Sequence, residues 1–139
     1  MTGLEYLRSL DPDNSAPIAA TLGFRLAEVD EGRVVFELQP KKEHENPMGT
    51  THGGVLATLL DSAAGASVHS KLPKGAAYTT LEIKVIFHKA PTAKTSRLRA
   101  EGRVISFGSR VAAAEATLRD EAGTLYATAT STCLILGTG

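Results

Sequence analysis

The 139-residue sequence is poor in the residue types that mark redox, nucleic-acid-binding or membrane proteins. Its one cysteine, Cys133, permits neither an internal disulfide nor a cysteine-based metal cluster. Fifteen basic and fifteen acidic side chains balance, which argues against a broad nucleic-acid surface. No stretch reaches the ~18 consecutive apolar residues of a membrane span, and the N-terminus lacks a signal-peptide pattern. We therefore expect a cytoplasmic protein that contacts neither nucleic acid nor membrane.

The composition that remains is typical of one globular domain. Apolar residues make up 42% of the chain and charged residues 22%, and a chain of this length suits a single domain. No repeat or linker divides it, so we expect one domain over residues 1–139. Leucines at three-residue spacing near the N-terminus, and the spacing of Pro17 and Gly23, predict a short helical segment over residues 1–22.

Hydrophobic periodicity predicts one long helix among strands. The helical spacing extends from about His52 to about Lys71. Alternation of side chains, with Leu81 and Ile83 on one face, predicts strands at residues 24–29, 34–39, 81–88, 98–107, 110–119 and 124–136. The short turns between successive strands predict antiparallel neighbours. We expect an α+β fold in which the helix packs against an antiparallel sheet of about five to six strands.

Between Glu45 and Lys71 the sequence contains a single charged residue. In the stretch NPMGTTHGGVLATLLDSAAG, residues 46–65, that residue is Asp61. Helical geometry places the leucines on one face and Asp61 on the other, in line with Gly54 and Gly65. A lone carboxylate on an otherwise apolar helix is costly unless it has a purpose, and small neighbours leave room for a ligand to approach it.

The beginning of the same helix suits the binding of a negatively charged oxygen. The first turn of a helix has unpaired N–H groups and a partial positive charge, and Gly53 and Gly54 leave those groups unobstructed. Asn46 and His52 add side-chain donors nearby. An oxyanion-binding helix end and a carboxylate together predict an acyl-transfer site, with Asp61 as general base or nucleophile.

Simpler interpretations exist for each residue. His52 and the two glycines are also what a helix cap and a tight turn require, and Asp61 could be a carboxylate whose hydrogen bonds are satisfied internally. Cys133 alternates within a strand and fits a small core residue. A serine hydrolase is unsupported because no G-x-S-x-G occurs.

Together these residues resemble the signature of hotdog-fold acyl-CoA thioesterases, in particular the phenylacetate-degradation (PaaI-like) group and its 4-hydroxybenzoyl-CoA thioesterase relatives. The resemblance covers roughly residues 20–136 and continues in TTLEIKVIFHKAP and LYATATSTCLI. It implies a long helix wrapped by an antiparallel sheet, and a homodimer as the catalytic unit, often assembled into a tetramer.

The resemblance also implies roles for individual residues. Asp61 matches the general base or nucleophile, and the Gly53 N–H matches the group that polarises the thioester carbonyl. Asn46 and His52 match supporting residues, and Thr80, with Thr79 one place away, matches a hydroxyl that positions water. Further substrate contacts are expected at Gly54, Lys89, Ser109 and Arg110. The substrate is an acyl-CoA, and neither a metal nor another cofactor is implied.

Two other classes remain open at this stage. A hotdog hydratase or dehydratase uses a similar helix end but acts on the acyl α and β carbons. A non-catalytic acyl-CoA sensor would need an added regulatory module. Among thioesterase substrates, the resemblance allows both aromatic groups such as phenylacetyl or hydroxyphenylacetyl and medium or long fatty acyl groups.

Overall fold

The structure, a computed structural model, describes residues 1–137. Its elements are α1 (Gly3–Ser9), α2 (Pro17–Leu22), β1 (Phe24–Asp30), β2 (Arg33–Leu38), α3 (Gly53–His69), β3 (Ala77–Phe87), β4 (Leu98–Phe107), β5 (Val111–Arg119) and β6 (Leu125–Leu136). Short 3-10 turns lie at Pro12–Asn14 and Lys42–His44. The expected long helix and the α+β arrangement are confirmed, with six strands in one sheet.

All strand pairs are antiparallel, in the order β1-β2-β4-β5-β6-β3. One expectation is wrong: β3 and β4 follow one another in sequence but do not pair. Instead β3 pairs with β6, and β4 lies between β2 and β5. The connection at residues 88–97 is too long to be a tight hairpin turn, and it carries the chain across to the other half of the sheet.

The sheet approaches α3 closely because small side chains separate them. Alanines from α3, β4, β5 and β6 are almost wholly buried in the core; these are Ala63, Ala64, Ala100, Ala112, Ala114, Ala116, Ala127 and Ala129. At Gly102 the approach is closest, since a Cβ there would lie under 3.0 Å from the backbone of Ala63 and Ala64. The Ala-rich strands thus allow the sheet to curve around the helix.

Strand β3 is an edge strand with a bulge at Leu81. Tyr78 and Thr80 are partly buried before the bulge, and Ile83 and Val85 after it. The prediction that Leu81 shares a face with Ile83 is therefore wrong: the extra residue shifts the alternation, and Leu81 is 56% exposed. The bulge turns Tyr78 and Thr80 toward α3.

Residues 1–22 pack against β1 and the end of α3. Thr2 and Glu5 form a capping box that begins α1, and Gly23, with φ 84°, ends α2. The Gly3 N–H donates to the Leu72 carbonyl at 3.0 Å, which ties α1 to the end of α3. Among the described helices, none is long and apolar enough to cross a membrane.

Candidate active site

The start of α3 combines a capped helix end with a free backbone donor. His52 is the N-cap, and its Nδ1 accepts the Gly54 N–H at 2.8 Å. In the neutral imidazole this leaves the ring proton on Nε2. The Gly53 N–H has no hydrogen-bond partner among residues 1–137. The helix-cap interpretation of His52 is thus confirmed, and the cap leaves Gly53 as the available donor of the first turn.

Asn46 organises the loop that leads into this helix. Its side-chain oxygen accepts the N–H groups of Met48 at 3.0 Å and Thr50 at 3.3 Å, and its Nδ2 donates to the Thr50 hydroxyl at 2.9 Å. Gly49, with φ 84°, closes the turn. The Asn46 oxygen is therefore occupied within the loop. The second hydrogen on Nδ2 is the donor of this side chain that remains for a ligand.

Asp61 lies two turns along α3, partly buried, and faces β3. Its Oδ1 accepts the Thr80 hydroxyl hydrogen at 3.0 Å. Thr79, the alternative position, is exposed and points away from the helix. The bulge at Leu81 is what gives Thr80 this orientation. The carboxylate is thus positioned by one side-chain hydrogen bond and keeps the capacity to bind a water or a ligand.

The small-residue groove beside Asp61 is partly filled, which the sequence pattern did not predict. The Tyr78 ring lies over Gly65, where a Cβ would meet its hydroxyl oxygen at 2.5 Å. Burial, with a smaller contribution from the charge of Asp61, raises the pKa of Tyr78 to about 12. The phenol therefore stays neutral at physiological pH. The sequence did contain one signal for this contact: Tyr78 lies two residues before Thr80 on β3 and therefore on the same face of the strand.

A cleft of about 300 Å³ opens at the start of α3. Gly53 and Leu56 form one wall, and the end of β3 with the segment after it forms the other, through Phe87, His88, Lys89, Ala90 and Pro91. Thr51 also lines the cleft. The structure thus brings Lys89 to the same cleft as the free Gly53 N–H.

Ser109 and Arg110 lie elsewhere in the same chain. They form the exposed turn between β4 and β5, where the Arg110 carbonyl accepts the Ile135 N–H at 2.7 Å. Ile135 pairs with Tyr78 at the start of β3, whereas Lys89 follows the end of β3. One chain therefore places Lys89 at one end of β3, and Ser109 and Arg110 near its other end.

A second cavity, of about 250 Å³, lies beneath the N-terminal segment. Apolar side chains of α1, α2, β1 and β2 form most of it, including Leu7, Phe24 and Phe36. Ser62 and Ala66 of α3 and Tyr78 of β3 complete it next to Asp61. Because its lining is drawn from six elements spread between Tyr6 and Tyr78, local patterns did not indicate this cavity.

The remaining polar candidates have structural surroundings. Cys133 is fully buried, and burial raises the pKa of its thiol, so it is the small core residue that the strand alternation predicted. Within residues 1–137 no group of three or more His, Cys, Asp and Glu side chains is arranged to hold a metal ion.

Several known proteins with similar sequences and structures are thioesterases or share their fold. A family model described as the thioesterase superfamily matches residues 48–127, which include both Gly53 and Asp61. The solved structure of a thioesterase family protein from Silicibacter pomeroyi is 30% identical, with a TM-score of 0.84 over 96% of this chain and 98% of that chain.

Two further structures share the fold at lower identity. The Escherichia coli PaaI protein from the phenylacetic acid degradation operon is 21% identical, with a TM-score of 0.81 over 88% of this chain and 86% of that chain. A Streptococcus mutans protein bound to acetyl-CoA is 24% identical, with a TM-score of 0.76 over 82% and 89%. The hotdog resemblance seen in the sequence is confirmed at the level of fold and family.

Proposed function

Since the chain belongs to the thioesterase superfamily and is a thioester hydrolase, we propose that it hydrolyses acyl-CoA esters to a carboxylic acid and free coenzyme A. The observation that carries this proposal is the free Gly53 N–H beside a cleft large enough for a substrate arm. The acetyl-CoA bound to the Streptococcus mutans protein, which has the same fold, supports coenzyme A as the leaving group.

In the proposed reaction the Gly53 N–H donates to the thioester carbonyl oxygen as it becomes negative. The partial positive charge of the helix start adds to this stabilisation. Asp61, held by Thr80, either removes a proton from the attacking water or attacks the carbonyl carbon itself. His52 keeps the helix start in place, and Asn46 shapes the loop beside it.

The separation of Gly53 and Asp61 along α3 supports a site shared between two copies of the chain. Gly53 and Asp61 are eight residues apart on α3, which corresponds to about 12 Å along the helix axis. One carbonyl group cannot contact both at that separation. We propose that the Gly53 half-site of one chain faces the Asp61 half-site of another, so that a symmetric dimer holds two complete sites.

The exposed edge of β3 supports this arrangement. Leu81, Ile86 and Phe87 are about half exposed there, and an unpaired edge with apolar side chains is a ready surface for another chain. Within one chain, Lys89 lines the same cleft as Gly53, whereas Ser109 and Arg110 lie near the start of β3, where Thr80 contacts Asp61. In a dimer formed through β3, Lys89 of one chain and the Ser109–Arg110 turn of the other could contact the same coenzyme A.

The cavity beneath the N-terminal segment is the proposed acyl pocket. Its lining is mostly apolar, Ser62 and Tyr78 connect it to the surroundings of Asp61, and its volume is about 250 Å³. An apolar cavity of ~150 Å³ holds one benzene ring, so this one accommodates a ring with a short linker, such as phenylacetyl. A long fatty acyl chain would extend beyond it. We therefore place ring-bearing acyl groups first among the substrates.

Filling the pocket should discriminate between acyl groups. In Ala66→Leu the longer side chain enters the cavity, and we expect kcat/KM for phenylacetyl-CoA to fall roughly 10- to 100-fold, while acetyl-CoA hydrolysis changes little. The matched control is Ala20→Leu, which adds the same atoms on the exposed side of α2. Equal losses on both substrates in Ala66→Leu would place the acyl group elsewhere.

The role of the Gly53 N–H can be tested by removing that group alone. Proline is well accommodated at the first position of a helix, and His52, with φ −59° and ψ 132°, has the backbone conformation that precedes proline. In Gly53→Pro we expect kcat to fall about 100- to 1000-fold. Gly53→Ala retains the N–H and meets the same Phe87 ring, so its smaller loss measures the steric effect. If kcat falls equally in both variants, the Gly53 N–H has no role in the mechanism.

The reaction class is tested by following free thiol. A panel of aromatic, short, medium and long acyl-CoA esters is offered to the protein, and thiol release is recorded beside hydration of enoyl-CoA. Thiol release with hydrolysis of the acyl group supports the proposal. Hydration without thiol release would identify a hydratase, and tight acyl-CoA binding with neither reaction would identify a sensor.

A further inference from the structure

Thr51 places a buried hydroxyl without a hydrogen-bond partner at the start of α3. The residue is 4% exposed, and its backbone N–H donates to the Pro91 carbonyl at 2.7 Å. Its side-chain oxygen exposes less than 1 Å² and has no partner among residues 1–137. Because buried hydroxyls are nearly always hydrogen-bonded, this oxygen requires an explanation.

The surroundings of Thr51 make the missing partner costly. His88 and Lys89 line the same cleft without bonding the Thr51 hydroxyl, and the remaining side chains of the cleft, among them Leu56, offer no polar atom. Leaving a buried hydroxyl unpaired destabilises the folded state. Valine has nearly the same shape and would avoid that cost, so folding alone gives no reason for a threonine here.

The position of the hydroxyl points to a ligand as the missing partner. Thr51 lies two residues before Gly53 and lines the same cleft. Rotation about the Thr51 Cα–Cβ bond exchanges the positions of the hydroxyl and the methyl group. This rotation would open the hydroxyl to a group in the cleft.

We propose that the Thr51 hydroxyl donates a hydrogen bond to a carbonyl oxygen of the bound thioester arm and so positions that arm against the Gly53 N–H. The carbonyl belongs either to the thioester itself or to an amide of the pantetheine chain. Thr51 is then a substrate-positioning residue that the family motif around His52 does not include. This inference rests on the proposed function, because it takes the cleft to hold an acyl-CoA.

Two variants separate this role from a structural one. Thr51→Val removes the hydroxyl and preserves the shape, and Thr51→Ser preserves the hydroxyl. We expect Thr51→Val to unfold at the same or a higher urea concentration than the parent, because an unsatisfied polar atom is removed. We also expect its kcat/KM for acyl-CoA to fall about 5- to 100-fold, the range that corresponds to one such hydrogen bond, and Thr51→Ser to retain most of the activity.

The choice of substrate identifies the carbonyl. An acyl thioester of 2-mercaptoethanol has the thioester carbonyl but neither pantetheine amide. A loss in kcat on both substrates assigns the contact to the thioester oxygen, and a rise in KM confined to acyl-CoA assigns it to an amide. Unchanged kinetics in Thr51→Val, or a loss that follows lowered stability and is not recovered in Thr51→Ser, would overturn the proposal.

A binding measurement keeps this inference separate from the proposed function. S-acetonyl-CoA has a carbonyl group and the full coenzyme but cannot be hydrolysed. We expect its dissociation constant, measured by calorimetry, to be several-fold higher for Thr51→Val than for the parent and Thr51→Ser. If the parent releases no thiol from any acyl-CoA, the proposed reaction fails while this comparison still decides the role of Thr51; equal affinities would refute it.

Discussion

Asp61→Asn is expected to lower kcat about 100- to 10 000-fold, the range that a positioned general base contributes. The variant retains an oxygen that can accept the Thr80 hydroxyl hydrogen, which Asp61 now accepts at 3.0 Å. It loses the basic and nucleophilic carboxylate oxygens. The fold should therefore persist, and the deficit should appear in kcat. Steady-state thiol release, with urea unfolding of the same preparation, measures both effects.

The matched control is Glu82→Gln, another acid-to-amide change on the neighbouring strand. Glu82 is exposed and accepts a hydrogen bond from the Thr132 hydroxyl, so its replacement should leave kcat near the parent value. Nearly full activity in Asp61→Asn would assign the chemistry to another group. Single-turnover hydrolysis in isotopically labelled water extends the test: an unlabelled acid product would reveal an acyl-Asp61 intermediate whose aspartyl carbonyl is attacked.

Mixing two inactive variants tests whether the sites are shared between chains. Gly53→Pro disables one half-site and Asp61→Asn the other. When equal amounts are unfolded and refolded together, half of the dimers are mixed, and each mixed dimer holds one intact site. About a quarter of the parent activity should therefore return. No recovery, with mixed dimers demonstrated by mass spectrometry, would mean that each chain works alone.

Gly102→Ala is expected to destabilise the fold strongly. The new Cβ would lie under 3.0 Å from the backbone of Ala63 and Ala64, which no side-chain rotation can relieve. Strand β4 and helix α3 would have to separate, and the buried alanines between them would lose contacts. We expect a cost of at least ~3 kcal/mol, a large part of the ~5–15 kcal/mol that stabilises an ordinary domain. Urea unfolding measures it.

A neighbouring change controls for general effects on β4. Arg103 is exposed and follows Gly102 directly, so Arg103→Ala should alter the free energy of unfolding by no more than about 0.5 kcal/mol. If Gly102→Ala unfolds at nearly the same urea concentration as Arg103→Ala, the helix and the sheet are less closely packed than described.

The N-cap and the position of Asp61 were predictable because both depend on local sequence. A helix start requires a cap within a few residues, and His52 supplies it. A period of 3.6 residues separates the leucine face from Asp61 wherever the helix lies in the molecule. The same holds for β4, β5 and β6, whose alternation marks them within one or two residues.

The surroundings of Asp61 depend on pairings that local sequence does not encode. Thr80 contacts Asp61 only because β3 pairs with β6 and carries a bulge at Leu81. An extra residue in a strand reverses which side chains face the core, and the partner strand, some 50 positions later, decides where that residue sits. Strict alternation therefore gave Leu81 the wrong face.

The sequence by itself determined the elements, the motif and the family, because each rests on residues that are neighbours along the chain or on a signature of residue types and spacings. Tertiary structure alone decided that Tyr78 covers Gly65 and that residues 1–22 line a cavity near Asp61. It also decided that the Thr51 hydroxyl is buried without a partner among residues 1–137. Each of these depends on which distant groups come within hydrogen-bond or van der Waals distance. Chain spacing does not specify such contacts, since packing selects them only when the whole sheet closes around α3.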